Sequence, residues 1–176
     1  FPTGGQDAAA ASRFCPVGSR LFLFAPGPPG AYTNTMTIDE IISDFGLLDD
    51  WDERYRYIIE LGKKLAPLPD AERTDANKVR GCASQVWLWT RLEPHGRDTS
   101  LRFVGDSDAL IVRGLVAIAL TIFDGKTPAE IAATDAEAIF DKLDLRAHLT
   151  SQRSNGLRSL VDRIKRDAKN AAGAAI

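Results

Sequence analysis

Cys82 lies in Val79-Arg80-Gly81-Cys82-Ala83-Ser84-Gln85, between a polar stretch and an alternating apolar run. Sulfur chemistry needs the thiolate, and a nearby cation or a ring of backbone amides raises the thiolate population. Arg80 supplies a cation two positions away, and Gly81, Ala83 and Ser84 are small enough for a partner to approach closely. The plain alternative is that a lone cysteine serves as a small buried hydrophobe. Its glycine neighbour on one side and polar neighbours on the other weaken that alternative.

Other chemistries are poorly supplied. A structural zinc or an iron–sulfur cluster usually takes about four protein ligands, often closely spaced cysteines. The chain has two cysteines, Cys15 and Cys82, and two histidines, His95 and His148, with no Cys-x-x-Cys. A cysteine hydrolase needs a histidine to activate the nucleophile and a third group to orient it. His148 is the candidate, yet it reads as a helix-terminal residue, and His95 as part of a hairpin turn. Trp87 and Trp89 share one strand face and read as core or helix-packing residues. Asp106 and Ser107 read as shaping a strand-to-helix turn.

The elements that must position Cys82 are legible from their punctuation. Thr37 with Glu40, Asp50 with Glu53, Thr127 with Glu130, and Thr134 with Glu137 each place a cap and a glutamate three positions apart, predicting four helix starts. Trp51, Tyr55, Ile58, Ile59, Gly62 and Leu65 form an amphipathic face expected to pack on the sheet. Val86, Leu88, Thr90 and Leu92 alternate with Gln85, Trp87, Trp89 and Arg91, which is a strand. A polar turn from Glu93 to Thr99 leads to a return strand, Leu101 to Val104, that stops at Gly105 and Asp106. Ser107 then caps an apolar helix from Asp108 to Phe123, and Leu157, Leu160, Val161 and Ile164 stripe the last helix. Helices, strands and helices again give an α+β domain with a small antiparallel sheet covered by helices.

Residues 1–35 hold five Gly, five Pro and no Lys, and read as a flexible N-terminal tail. The sole Met, Met36, stands directly before the first helix signal, so the expected domain spans 36–170, with 171–176 a flexible C-terminus. The net charge of -2 offers no field for nucleic acid or an anionic membrane, and the apolar run from Ala109 to Phe123 is short of the ~20 residues of a bilayer span. Two cysteines are too few for a disulfide framework, which favours a reducing, cytoplasmic setting.

Val79 through Trp87 resembles the active-site segment of the SufE family, its CsdE-type relatives included. Gly105-Asp106-Ser107-Asp108-Ala109 with Ile111-Val112-Arg113-Gly114 resembles that family's second block, and Ser151-Gln152-Arg153-Ser154-Asn155-Gly156-Leu157 its third, in the same order. The resemblance runs from about Thr37 to Lys169; Ala83 and Arg80 stand where other residues also occur in the family. It implies a SufE/IscU-like fold with about three strands, the third near Asn77 to Val79. It implies a sulfur acceptor that takes persulfide sulfur onto Cys82 from a SufS/CsdA-type cysteine desulfurase, stimulates that enzyme, and relays sulfur to a downstream iron–sulfur assembly scaffold. Pyridoxal phosphate then belongs to the partner, and this chain needs no cofactor and no metal. Arg153 matches the arginine of the third block and, with Arg80, is the supporting cation expected near the thiol. An IscU-like scaffold and a stand-alone cysteine hydrolase are the competing readings, and self-association, a homodimer included, is left open. Transfer of this kind requires an ionised, reachable thiol that is protected from over-oxidation, as a shielded loop opening to a partner would provide.

Overall fold

The computed structural model describes residues 36–95 and 98–174, so the expected N-terminal tail and Cys15 lie outside the described residues. Its elements in chain order are α1 (Ile38–Leu47), α2 (Trp51–Lys63), a 3₁₀ turn (Asp70–Glu72), β1 (Val86–His95), β2 (Asp98–Ser107), α3 (Leu110–Phe123), α4 (Pro128–Ala133), α5 (Ala136–Lys142), α6 (Leu145–His148) and α7 (Ser151–Ala174). This is the expected α+β class. Helix α7 runs to Ala174 with Ala171 buried, past the expected boundary at 170.

Three of the four expected helix starts are where the caps place them. Thr37 and Glu40 close a reciprocal capping box, as do Thr127 and Glu130, and the Asp50 carboxylate accepts from Glu53 N at 2.8 Å. The fourth start is one residue later. The Thr134 hydroxyl donates to Glu130 O at 2.7 Å at the end of α4, so Asp135 caps α5 instead, accepting from Ala138 N at 3.2 Å.

β1 and β2 pair antiparallel from Val86↔Ser107 to His95↔Asp98, so both strands outrun their expected limits. Gly105 does not end β2; it lets the strand pass beneath α3, where a Cβ would meet Val116 Cγ1 at 2.6 Å. The sheet has two strands where about three were expected. Asn77 to Val79 contributes one bridge, Lys78↔Trp87, with Val79 N donating to Val86 O and Leu88 N to Asn77 O, both at 2.8 Å. The pairing cannot lengthen because Gly81, at φ +93°, turns the chain away.

The inner sheet face, with Val86, Leu88, Leu101 and Phe103 buried, packs on α3. Helix α3 is apolar nearly all round, as a helix enclosed on every side must be. Its other side receives α2, which therefore packs on α3 rather than on the sheet as expected. The two helices meet at Gly62 and Gly114, where a Cβ on Gly62 would lie 2.6 Å from Gly114 N. Helix α7 lies against α3, α4 and β1. Trp87 and Trp89 stand on the opposite sheet face and are only half-buried, which sets aside the core placement, one of the two expected of them. Trp87 instead carries the Arg73 guanidinium 5.5 Å from its ring centroid. No described helix is long and apolar enough to cross a membrane.

Candidate functional site

The Cys82 loop leaves the Lys78 bridge, turns at Gly81 and enters β1 at Val86, with Gly81 and Cys82 against α7. Gly81 and Gly156 make that approach feasible. A Cβ on Gly81 would fall 2.7 Å from Ser159 Oγ, and one on Gly156 would fall 3.2 Å from Cys82 Sγ. Gly156 and Ser159 are three residues apart on one helix face, so they form a flat seat for the loop. The half-buried Cys82 thiol donates to Gly156 O, with Sγ at 3.4 Å.

The far end of the loop is held by Ser107, expected to cap α3, and by Asp108, expected as that helix's first residue. Ser107 Oγ donates to Gln85 O at 2.9 Å, and the Asp108 carboxylate accepts from Gln85 N at 3.0 Å. Helix α3 consequently starts at Leu110, with Ala109 at its N-cap and no side-chain cap. Lys78 Nζ adds a bond to Gln85 Oε1 at 3.2 Å. Removing the Asp108 clamp frees one backbone donor at an exposed position, so Asp108→Ala should raise the rate of Cys82 alkylation by iodoacetamide severalfold without shifting the unfolding midpoint appreciably. An unchanged rate would mean that the clamp does not limit access.

Beneath the loop two further networks fix the platform. Asp106 is a buried carboxylate whose Oδ2 accepts from Arg73 Nη2 at 2.7 Å, while Arg113 Nε lies 3.3 Å from Oδ1 and Arg113 Nη2 donates to Leu65 O at 3.2 Å. The buried Asp167 of α7 accepts from Thr90 Oγ1 at 2.8 Å and from Arg163 Nε, and Arg163 Nη1 reaches Ala76 O at 3.3 Å. These bonds tie β1, α7 and the segment before the loop to one another. Neither network was evident in the sequence, since each pairs residues far apart in the chain.

The two supporting arginines are placed as follows. Arg80 is exposed. Arg153 lies in the first turn of α7, one turn ahead of Gly156, and its backbone N–H bonds Thr150 Oγ1 at 3.4 Å. Neither guanidinium makes a hydrogen bond or ion pair among the described residues. The thiol environment follows from that: burial pushes the Cys82 thiol up from its ordinary value, and no cation offsets it. The folded chain therefore holds this proton more tightly than the unfolded one. Alkylation of Cys82 should rise with pH along a curve displaced above the ordinary thiol value of about 8.5. The same proton makes folding less favourable as pH climbs from that value through the raised one. A curve centred at or below the ordinary value would contradict this.

His148 makes no hydrogen bond to Cys82. Its ring stacks on Trp51 with centroids 4.1 Å apart, and Nε2 lies 3.1 Å from Asp144 Oδ2. No cluster of three or more His, Cys, Asp or Glu among the described residues has metal-holding geometry. The site is thus a lone, shielded thiol on a loop seated against a helix.

The family model for SufE, described as an Fe–S metabolism associated domain, matches residues 39–168. The chain belongs to the SufE family. Its match takes in the Cys82 loop, the clamps from Ser107 and Asp108, and the Gly156 seat. Among SufE-family relatives, the chain is 56% identical to an uncharacterised SufE-like protein of Rhizobium meliloti over 76% of this chain and 95% of that one. It is 41% identical to the sulfur acceptor protein CsdE of Escherichia coli, over 80% of this chain and 92% of that one. A solution structure of a hypothetical protein from Thermus thermophilus shares the fold, with TM-score 0.60, 16% identity, and coverage of 78% of this chain and 99% of that one.

Proposed function

We propose that this SufE-family chain accepts sulfur as a persulfide on Cys82 from a cysteine desulfurase. The observation that carries the reading is the seat itself: a sole described cysteine, shielded by a helix yet held there through one thiol hydrogen bond and a few loop contacts. The naming of its relative CsdE as a sulfur acceptor protein supports it. In the transfer, the Cys82 thiolate attacks the outer sulfur of the donor persulfide, the new S–S bond forms on Sγ, and the old one breaks. The donor sulfur leaves with the electron pair and takes up the proton that Cys82 released, so no outside oxidant is consumed.

The raised thiol pKa assigns part of the activation to the partner. Docking must open the loop or bring positive charge near Sγ, and Arg80 and Arg153 are the chain's own cations available for that role. A thiol kept protonated until docking is also spared peroxide, which attacks the thiolate. Drawing off the donor's persulfide stimulates the desulfurase, whose pyridoxal phosphate supplies the carbon–sulfur cleavage, and the sulfur passes on to an iron–sulfur assembly scaffold in the cytoplasm. Turnover of a purified cysteine desulfurase with L-cysteine, measured with and without this chain, tests the proposal. Severalfold stimulation is expected; no stimulation of any desulfurase of the SufS or CsdA type would overturn it.

A further inference from the structure

We propose that loading Cys82 with sulfur by itself releases the loop from α7, the Gly156 carbonyl acting as a positioning group that holds the empty carrier and lets the loaded one go; this rests on the persulfide reading above. The contact between Sγ and Gly156 O, at 3.4 Å, depends on the single proton that Sγ carries. In the exchange Cys82–SH + R–S–SH → Cys82–S–SH + R–SH, that S–H bond is replaced by S–S. Sγ then has no proton to donate, and the Gly156 carbonyl, still in its helix bond, loses the thiol that held the loop to it.

The added atom must also find room where the loop already lies close to the helix. The new sulfur stands about 2.05 Å from Sγ. A Cβ on Gly156 would lie 3.2, 3.5 and 3.6 Å from Cys82 Sγ, Cβ and Cα, so Cys82 already stands in the space that a side chain at 156 would take, and Sγ itself lies 3.4 Å from Gly156 O. An ionised terminal sulfur would face the negative end of a carbonyl dipole, with no cation of the chain bonded nearby. Both the lost bond and the added charge disfavour the seated position. The ends of the segment remain held, at the Lys78 bridge with Val79 N on Val86 O and at Gln85 under Ser107 and Asp108, so the motion is confined to 80–84.

The test uses the full chain and no desulfurase. Inorganic polysulfide transfers a terminal sulfane sulfur to the Cys82 thiolate, the shorter polysulfide leaving with the electron pair. Peptide mass mapping locates the added sulfur on Cys82 rather than Cys15. Trypsin cleavage at Arg80–Gly81 and amide exchange over 81–84 are then compared before loading, after it, and after reduction with dithiothreitol. Both should become severalfold faster on loading and return on reduction. Methyl methanethiosulfonate provides a second probe, capping Sγ as S–S–CH₃ with methanesulfinate leaving; it removes the proton and adds a sulfur without charge, and it should act in the same direction. Cys82→Ser, which keeps a hydroxyl donor and cannot be loaded, should show no change under either reagent. Cleavage and exchange no faster in the loaded protein than in the reduced one would overturn the inference. Release by chemical loading, together with a separate assay in which no desulfurase loads Cys82, would leave the inference standing and sink the donor assignment.

Discussion

Replacing Cys82 by serine is expected to reduce sulfur acceptance and desulfurase stimulation to background while leaving the fold intact. Serine retains a donor for Gly156 O and fits the same small volume, so the loop should stay seated. The stability change should remain within about 1 kcal/mol, as for substitutions that create no cavity and no orphaned group. Chemistry cannot survive the change, because an alcohol is far from ionised near neutral pH and an oxygen has no persulfide to hold. No second thiol among the described residues can substitute. Stimulation assays paired with urea unfolding check both halves: a mutant that still stimulates fully would remove Cys82 from the mechanism, and an unfolded mutant would show that the thiol is structural.

Gly114→Ala is expected to produce the largest loss of stability. A Cβ there would lie 2.1 Å from Ile58 O and 2.7 Å from Ile58 C, which are backbone atoms of α2 that cannot rotate aside. Alanine gains about 1 kcal/mol of helix propensity over glycine. Overpacking a close helix contact costs about 1–3 kcal/mol, and a backbone clash lies at or beyond the upper end of that range. The clash wins, and a net loss of about 2 kcal/mol or more should appear in urea unfolding. Gly46→Ala in α1 is the matched control, since a Cβ there meets nothing within 4 Å and propensity alone should act. Equal stabilities for the two variants would mean that α2 and α3 do not approach as described.

The reach of the sequence was set by range. Thr37 with Glu40 and Thr127 with Glu130 act within one helical turn, and such pairs were legible because their partners are neighbours in the chain. Thr134 misled by one position because its hydroxyl had a competing acceptor at Glu130 O, a choice that spacing does not decide. Trp87 and Trp89 alternate as a core face would, yet burial belongs to the other face, where Val86 and Leu88 are buried and Gly105, the partner of Leu88, lies under Val116 and Leu120 of α3. The third strand was expected from the family likeness and reduces to one bridge, since Gly81 diverts the chain into the loop.

At the site, Cys82 was singled out by its loop context and its segment's likeness to the SufE family. The seat was not legible: Gly156 and Ser159 lie more than 70 positions away, and the Cys82–Gly156 pair spans 74. Ser107 looked like a helix cap and Asp108 like the helix's first residue, and both turn instead to the backbone of Gln85. Asp106 looked like a turn residue and is a buried acceptor for Arg73. In each case the residue type allowed both roles, and only the three-dimensional neighbour selected one.

The measurement that tests the central claim most directly is intact and peptide mass spectrometry of the chain after incubation with a cysteine desulfurase and L-cysteine, before and after reduction. The account predicts one additional sulfur on the peptide carrying Cys82, removed by dithiothreitol and absent from Cys82→Ser. A desulfurase that turns over and carries its own persulfide while Cys82 remains unmodified would contradict it.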